Sequence, residues 1–239
     1  MTELKEREPS TVGTVRPSGG VKGFLIAEAV LYAAFLLGDL LALGRICLLL
    51  KYLSVLLCLA CAVVRSRRMG EWSVVPPMAL TCAADALLLP GTHVELGICL
   101  FLAVQALYAR RINRDTIRTV TVRIFLAVLV WVMLGVLDMA TRRNLLAGLY
   151  FPQLVCNAVL ARRLDGRRGR LFAVGLTLFI GCDVCVGLWN LPGLPGVVEQ
   201  AAGFGMWLFY LPSQMCIALS AGKMQAGRTN PVDYAEKTG

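Results

Sequence analysis

Ile46-Cys47-Leu48-Leu49-Leu50-Lys51-Tyr52-Leu53-Ser54-Val55-Leu56-Leu57-Cys58-Leu59-Ala60-Cys61-Ala62-Val63-Val64 runs for 19 residues with a single charge, and Arg65-Ser66-Arg67-Arg68 ends it. A bilayer's hydrocarbon core is about 30 Å thick and a helix rises about 1.5 Å per residue, so about 20 apolar residues cross it. This stretch therefore reads as a transmembrane helix whose arginine end faces the cytoplasm.

Working outward, seven similar segments appear, giving approximate spans of 22–40, 44–64, 73–90, 93–110, 120–138, 143–162, 170–190 and 197–221. The composition agrees. The 239 residues are 57% hydrophobic with mean hydropathy +0.69. Charged residues make up 16%, against roughly 25% in a soluble domain. The expectation is an all-α membrane protein, an eight-transmembrane-helix bundle forming one domain over 22–221. Residues 1–21, with Pro9, Pro17, Gly19 and Gly20, read as a disordered cytoplasmic tail without a cleavable signal peptide, and 222–239 as a second polar tail.

The basic residues set the orientation. With eight spans, 20 of the 24 Lys and Arg fall on one side: the N-tail, the second, fourth and sixth loops, and the C-tail. Arg123 is counted with the fourth loop. The other side holds Arg45, Arg142 and Arg143, and Lys51 lies within a helix. Seven or nine helices scramble this alternation, so both termini are expected in the cytoplasm. The net charge of +9 sits in these short loops, which argues against nucleic acid and for anionic-lipid contacts. The nine cysteines lie mostly in apolar segments and read as small apolar side chains, not as a disulfide framework. Cys58-x-x-Cys61 and Cys182-x-x-Cys185 have metal-ligand spacing, but their helical, small-residue setting points to packing, and no metal or cofactor is expected. His93, the single histidine, falls in an outer loop.

The chain also repeats weakly. Asp39 recurs as Asp138 and Lys51 corresponds to Tyr150, each 99 residues on. Asp85 recurs as Asp183, 98 on, and Leu89-Pro90-Gly91 recurs as Leu191-Pro192-Gly193. Four helices per unit is an even number, so this pattern implies two parallel four-helix repeats about an axis along the membrane normal.

Charges inside a bilayer are costly, about 2.5–3.5 kcal/mol each on insertion scales, and face the bundle interior. Lys51, Ser54, Cys58 and Cys61 share one face of helix 2. Tyr150, Gln153 and Asn157 share one face of helix 6, and Glu28, Tyr32 and Asp39 one face of helix 1. Gln105 and Tyr108 pair on helix 4, and Tyr210 and Gln214 on helix 8. Counting from the helix ends, Asp85, Asp183, Lys51 and Tyr150 fall in one layer, roughly 8–11 Å below the outer ends. Asp39 and Asp138 lie nearer the surface. Two carboxylates with one ammonium suit acid–base work, one carboxyl holding a proton beside an ionised partner. The competing reading is a buried Lys–Asp pair that only fixes helix register.

Ala84-Asp85-Ala86-Leu87-Leu88-Leu89 resembles the A-D-x-L-L stretch of the YhhN family of membrane proteins, which includes the lysoplasmalogenases. Leu100-Phe101-Leu102-Ala103-Val104-Gln105-Ala106-Leu107-Tyr108 is similar to the family's F-x-x-x-H-x-x-Y helix, with Gln105 in place of the histidine. Gly181-Cys182-Asp183-Val184-Cys185 resembles its second acidic motif, with Cys182 for a serine. Phe209-Tyr210-Leu211-Pro212-Ser213-Gln214 is similar to its last helix, and Lys51 falls where the family often has a lysine, with Tyr52 for the proline that follows it. The resemblance spans roughly residues 25 to 220. It implies hydrolysis of the vinyl ether bond of lysoplasmalogens to a fatty aldehyde and a glycerophospho-base. Asp85 and Asp183 are then the catalytic pair. Lys51 holds one carboxylate ionised or contacts the substrate phosphate. Tyr108, Tyr150, Tyr210, Gln105, Asn157 and Gln214 line the substrate site. The partners implied are a lysophospholipid substrate and membrane lipids. Two other classes stay open: a lipid or small-molecule transporter using the same buried charges, and a structural or regulatory protein with a dead site, for which Gln105 speaks. The compact chain, without targeting signals, suggests a bacterial inner membrane. Oligomeric state is not legible.

Overall fold

The computed structural model describes residues 19–41, 43–113 and 116–226. The readings of the tails beyond these bounds, and of Arg114 in the fourth loop, fall outside the described residues. Eight helices follow in order: α1 Gly19–Leu40, α2 Gly44–Met69, α3 Val75–Leu88, α4 Val94–Ile112, α5 Ile117–Val136, α6 Arg142–Ala161, α7 Gly166–Trp189 and α8 Gly196–Leu219. Two short strands, β1 Leu164–Asp165 and β2 Gln225–Ala226, pair antiparallel and tie the segment after α8 to the start of α7. Among the described residues the regular structure is all-helical apart from this pair.

Six of the eight helices are long and apolar enough to cross a membrane. The other two are α3 and α4. The apolar run reads as a full span over 73–90, but α3 has 14 residues, about 21 Å of helix. Its start is fixed by Pro76 and Pro77 in the first turn, where a missing N–H costs nothing. Its end is fixed by Pro90 and by Gly91 in the left-handed region at φ 71. α4 has 19 residues with Glu95 near one end and Arg110 and Arg111 near the other.

The boundary of α5 corrects a second expectation. Thr116 caps the helix in a capping box with Thr119, so it begins at Ile117 rather than at 120. Arg123 is then not a loop residue. It lies inside α5, 7% exposed, and belongs to the core.

Packing partners define the architecture. α2, α3, α4, α6, α7 and α8 close a ring in which each packs on the next and α8 returns to α2. α1 packs on α2 from outside the ring, and α5 packs on α6 in the same way. α5 buries only Arg123 and Ala127 among its described side chains, and Ile124, Phe125, Val128 and Val132 face outward, as on a lipid-facing helix.

The tightest pair is α7 with α8. A Cβ on Gly181 stands 3.0 Å from the Phe209 ring, one on Gly205 stands 2.7 Å from Cys185 Sγ, and one on Gly175 stands 2.7 Å from Ile217 and 3.1 Å from the Ser213 carbonyl. Small residues let helix backbones approach where lipid supplies no hydrophobic drive. Gly175→Val is therefore expected to separate α7 from α8, because it meets backbone as well as a flexible side chain. Thermal unfolding in detergent should show a loss of about 2–3 kcal/mol, while Gly187→Val, on a glycine with open space around it, should be near neutral.

Candidate functional site

Asp85 is buried on α3 and Asp183 half-buried on α7. Each carboxylate receives a phenol from a different helix. Tyr210 of α8 donates its Oη–H to Asp85 Oδ2 at 2.5 Å, and Tyr150 of α6 donates to Asp183 Oδ2 at 2.7 Å. In both cases the phenol takes one carboxylate oxygen and leaves Oδ1 for other work. The register of α7 and α8, with Gly181 at Phe209 and Gly205 at Cys185, places Asp183 about one helical turn from Tyr210 along the bundle axis. The two carboxylates therefore share a layer, as counting from the helix ends suggests.

A chain of aromatic rings joins the two phenols. Phe101 lies 5.9 Å from Tyr150 and 5.6 Å from Phe179, and Phe179 lies 5.6 Å from Tyr210. The chain continues through Trp207, 5.6 Å from Tyr210, to Phe35 and Tyr32 on α1. Edge-to-face packing fixes the Tyr210 phenol in orientation, while the Tyr150 ring lies tilted at 47° to Phe101. Cys182 is buried within electrostatic reach of both Asp85 and Asp183.

Lys51 corrects the expectation that it serves one of these carboxylates. Its Nζ lies 2.8 Å from Asp39 Oδ2 and 3.0 Å from Asp39 Oδ1. Nζ also sits 4.9 Å above the Trp207 ring and 5.7 Å above that of Phe35. The reason is the antiparallel register of α1 and α2. Gly38 packs against Cys47, one turn before Lys51, so the flexible four-carbon stem reaches back to Asp39 near the end of α1. Asp39, read as interfacial, is 42% exposed along its side chain, against 10% for Lys51. This asymmetry gives a test. Asp39→Asn strands a buried ammonium, whereas Lys51→Met leaves a carboxylate that water can reach. Asp39→Asn should lower thermal stability by about 2–4 kcal/mol, and Lys51→Met by clearly less.

The remaining residues form a second polar layer toward the arginine-rich end. Cys58 and Asn157 stand seven residues after Lys51 and Tyr150, about 10 Å deeper. Asn157 Nδ2 donates to the Gln105 carbonyl at 2.9 Å and to Gln105 Oε1 at 3.0 Å. Arg123 donates to Asn157 Oδ1 at 2.7 Å and to Gln153 Oε1 at 3.0 Å. Cys58 Sγ donates to Glu28 Oε1 at 3.3 Å. Tyr108 is fully buried in this region, with its ring 5.3 Å from Phe172 and its hydroxyl near Thr81. Gln214, also fully buried, has neither amide atom partnered among the described residues.

Of the nine residues singled out in the sequence, Asp85, Asp183, Tyr150 and Tyr210 thus come together as two bonded pairs. Lys51 joins their layer through Trp207 but is engaged elsewhere. Gln105, Asn157, Tyr108 and Gln214 lie deeper. The sequence reading missed the Arg123 and Glu28 contacts. For Arg123 a signal existed, since Thr116 and Thr119 have the spacing of a helix start and place Arg123 two turns inside.

No curated protein and no solved structure matches this chain. The model of the YhhN family matches residues 46–221, which covers α2 through α8 and leaves α1 outside. This chain belongs to the YhhN family.

Proposed function

We propose that this protein is an integral membrane hydrolase that cleaves the vinyl ether bond of lysoplasmalogens with Asp85 and Asp183 as its acid–base pair. The observation that carries the reading is the matched pair of intramembrane carboxylates, one buried and one half-buried, each holding a tyrosine phenol on one oxygen in a family member. A vinyl ether is cleaved by moving a proton from a carboxylic acid to its β-carbon. The resulting oxocarbenium ion is attacked by water at the oxygen-bearing carbon, and a carboxylate takes the water's proton. The hemiacetal collapses to fatty aldehyde and the glycerophospho-alcohol, which keeps its own oxygen. A carboxyl donor and a carboxylate base are the equipment glycosidases use on a similar cation. The phenols orient the two groups, and Trp207, Phe101 and Phe179 offer apolar surface to the alkenyl chain.

The same reading takes all eight helices as spans, with both termini on the cytoplasmic side of a bacterial inner membrane. It takes the bundle as two parallel four-helix repeats. Three correspondences support the repeat. α1 sits on α2 as α5 sits on α6. α4 packs on α6 as α8 packs on α2. Cys58 and Asn157, 99 residues apart, each take a charged side chain from the peripheral helix of their own half, Glu28 and Arg123.

The test is incubation of detergent-purified protein with choline and ethanolamine lysoplasmalogens. Stoichiometric release of aldehyde and glycerophospho-base supports the hydrolase. Absence of release across a broad pH range sinks it, and substrate uptake by proteoliposomes then separates a transporter from an inactive membrane protein.

A further inference from the structure

At the arginine-rich end, α1 and α2 diverge and leave a cavity of about 370 Å³. Its walls are apolar and small: Gly23, Phe24 and Ala27 from α1, with Leu57, Ala60 and Val64 from α2. Ala60 and Val64 are exposed, so the cavity opens sideways along the lipid-facing surface. Arg65, Arg68 and Met69 close its end. From Leu57 to Arg68 the groove runs about 16 Å along α2.

Positive charge gathers at that end. Arg68, Arg167 and Arg168 bear on Arg65 electrostatically. Arg168 reaches Met69 Sδ at 3.2 Å, which brings the α7 arginines to the rim of the cavity. Arg65 donates from Nη2 to the Leu219 carbonyl at 3.0 Å, while its buried Nε has no partner among the described residues. Four like charges repel one another at close quarters unless an anion joins them. An apolar groove lying along the bilayer and ending in guanidiniums at headgroup depth matches one ligand class by shape and charge together.

We propose that this cavity binds an anionic diacyl phospholipid of the leaflet at the arginine-rich end. Its phosphate lies at Arg65 and Arg68, and one acyl chain lies against Phe24, Ala27 and Leu57. This lipid is not the substrate. Leu57 lies six residues deeper than Lys51, about 9 Å from the layer of Asp85 and Asp183, so the chain end stops short of the carboxylates. The lipid clamps α1, the helix that precedes the family match, onto α2.

The experiment measures binding of phosphatidylglycerol to the full chain in detergent by native mass spectrometry, with thermal stability alongside. Phosphatidylcholine and inorganic phosphate are run as comparisons. Two variants suit it. Arg68→Gln removes an exposed guanidinium, and Gly23→Leu fills the groove at a glycine whose Cβ meets nothing within 4 Å. The expected result is that phosphatidylglycerol is retained and raises the melting temperature of the natural chain. Its affinity falls about fivefold in Arg68→Gln, as for one charge at a membrane surface, and at least as far in Gly23→Leu. Unchanged affinity in both variants overturns the proposal, as does an equal shift from inorganic phosphate alone. Binding that emerges only after residues 1–18 are deleted also overturns it, since the groove then belongs to the chain's own N-terminal segment. None of these outcomes depends on whether the protein hydrolyses a vinyl ether.

Discussion

Asp85→Asn and Asp183→Asn are each expected to lower aldehyde release by about a thousandfold while leaving the bundle intact. General acid–base catalysis contributes roughly 10²–10⁴ in rate, and neither an amide donor nor an amide acceptor replaces a carboxyl proton or a carboxylate base. Folding should survive because an asparagine oxygen still accepts the phenol. Tyr210 and Tyr150 each use one oxygen of their aspartate, and an amide keeps one oxygen of the same shape. Melting temperatures within a few degrees of the natural chain are the control. Full activity in either variant removes that aspartate from the chemistry, and loss of the fold in both makes the pair a structural feature.

The largest effect on stability is expected at Asn157→Leu. Arg123 is a charged group deep in α5, and its partners on α6 are Asn157 Oδ1 and the Gln153 side chain. Removing Asn157 takes one acceptor from the Arg123 guanidinium, which keeps Gln153, and leaves the Gln105 acceptors without their donor. Hydrogen bonds to charged groups contribute about 1.5–3 kcal/mol, and each buried acceptor left unsatisfied costs about 1–3 kcal/mol. Asn157→Leu should therefore cost about 3–5 kcal/mol in reversible unfolding. Arg123→Met should cost much less, since the buried charge goes with it. The double variant should recover the part of the loss from Asn157→Leu that comes from Arg123. Additive losses in the double variant contradict this account of the α5–α6 contact.

Much of the bundle was legible because apolar runs and arginine punctuation report directly on the bilayer. The helix boundaries around 44, 143 and 197 are recovered within one residue or so of Gly44, Arg142 and Gly196. The failures have local causes. α3 reads as a longer span because Val74 and Leu89 are apolar, yet Pro76 and Gly91 set its ends. Arg123 reads as a loop residue because charge is the cue for a loop, and the Thr116–Thr119 capping box outweighs that cue. In the candidate site, helix spacing located the layer of Asp85, Asp183, Lys51 and Tyr150 by depth. It did not reveal partners, which depend on rotation about each helix and on side-chain length. So Tyr210 went to Asp85 across 125 residues of sequence, and Lys51 turned away to Asp39.

If a carboxylic acid of this protein protonates the β-carbon of a vinyl ether, aldehyde released from a lysoplasmalogen by the purified protein in D₂O carries one deuterium at carbon 2. Mass spectrometry of the product reads it. Singly deuterated aldehyde is expected from the natural chain and none from Asp85→Asn or Asp183→Asn. No aldehyde from the natural chain, or aldehyde without deuterium at that carbon, rules the hydrolase out.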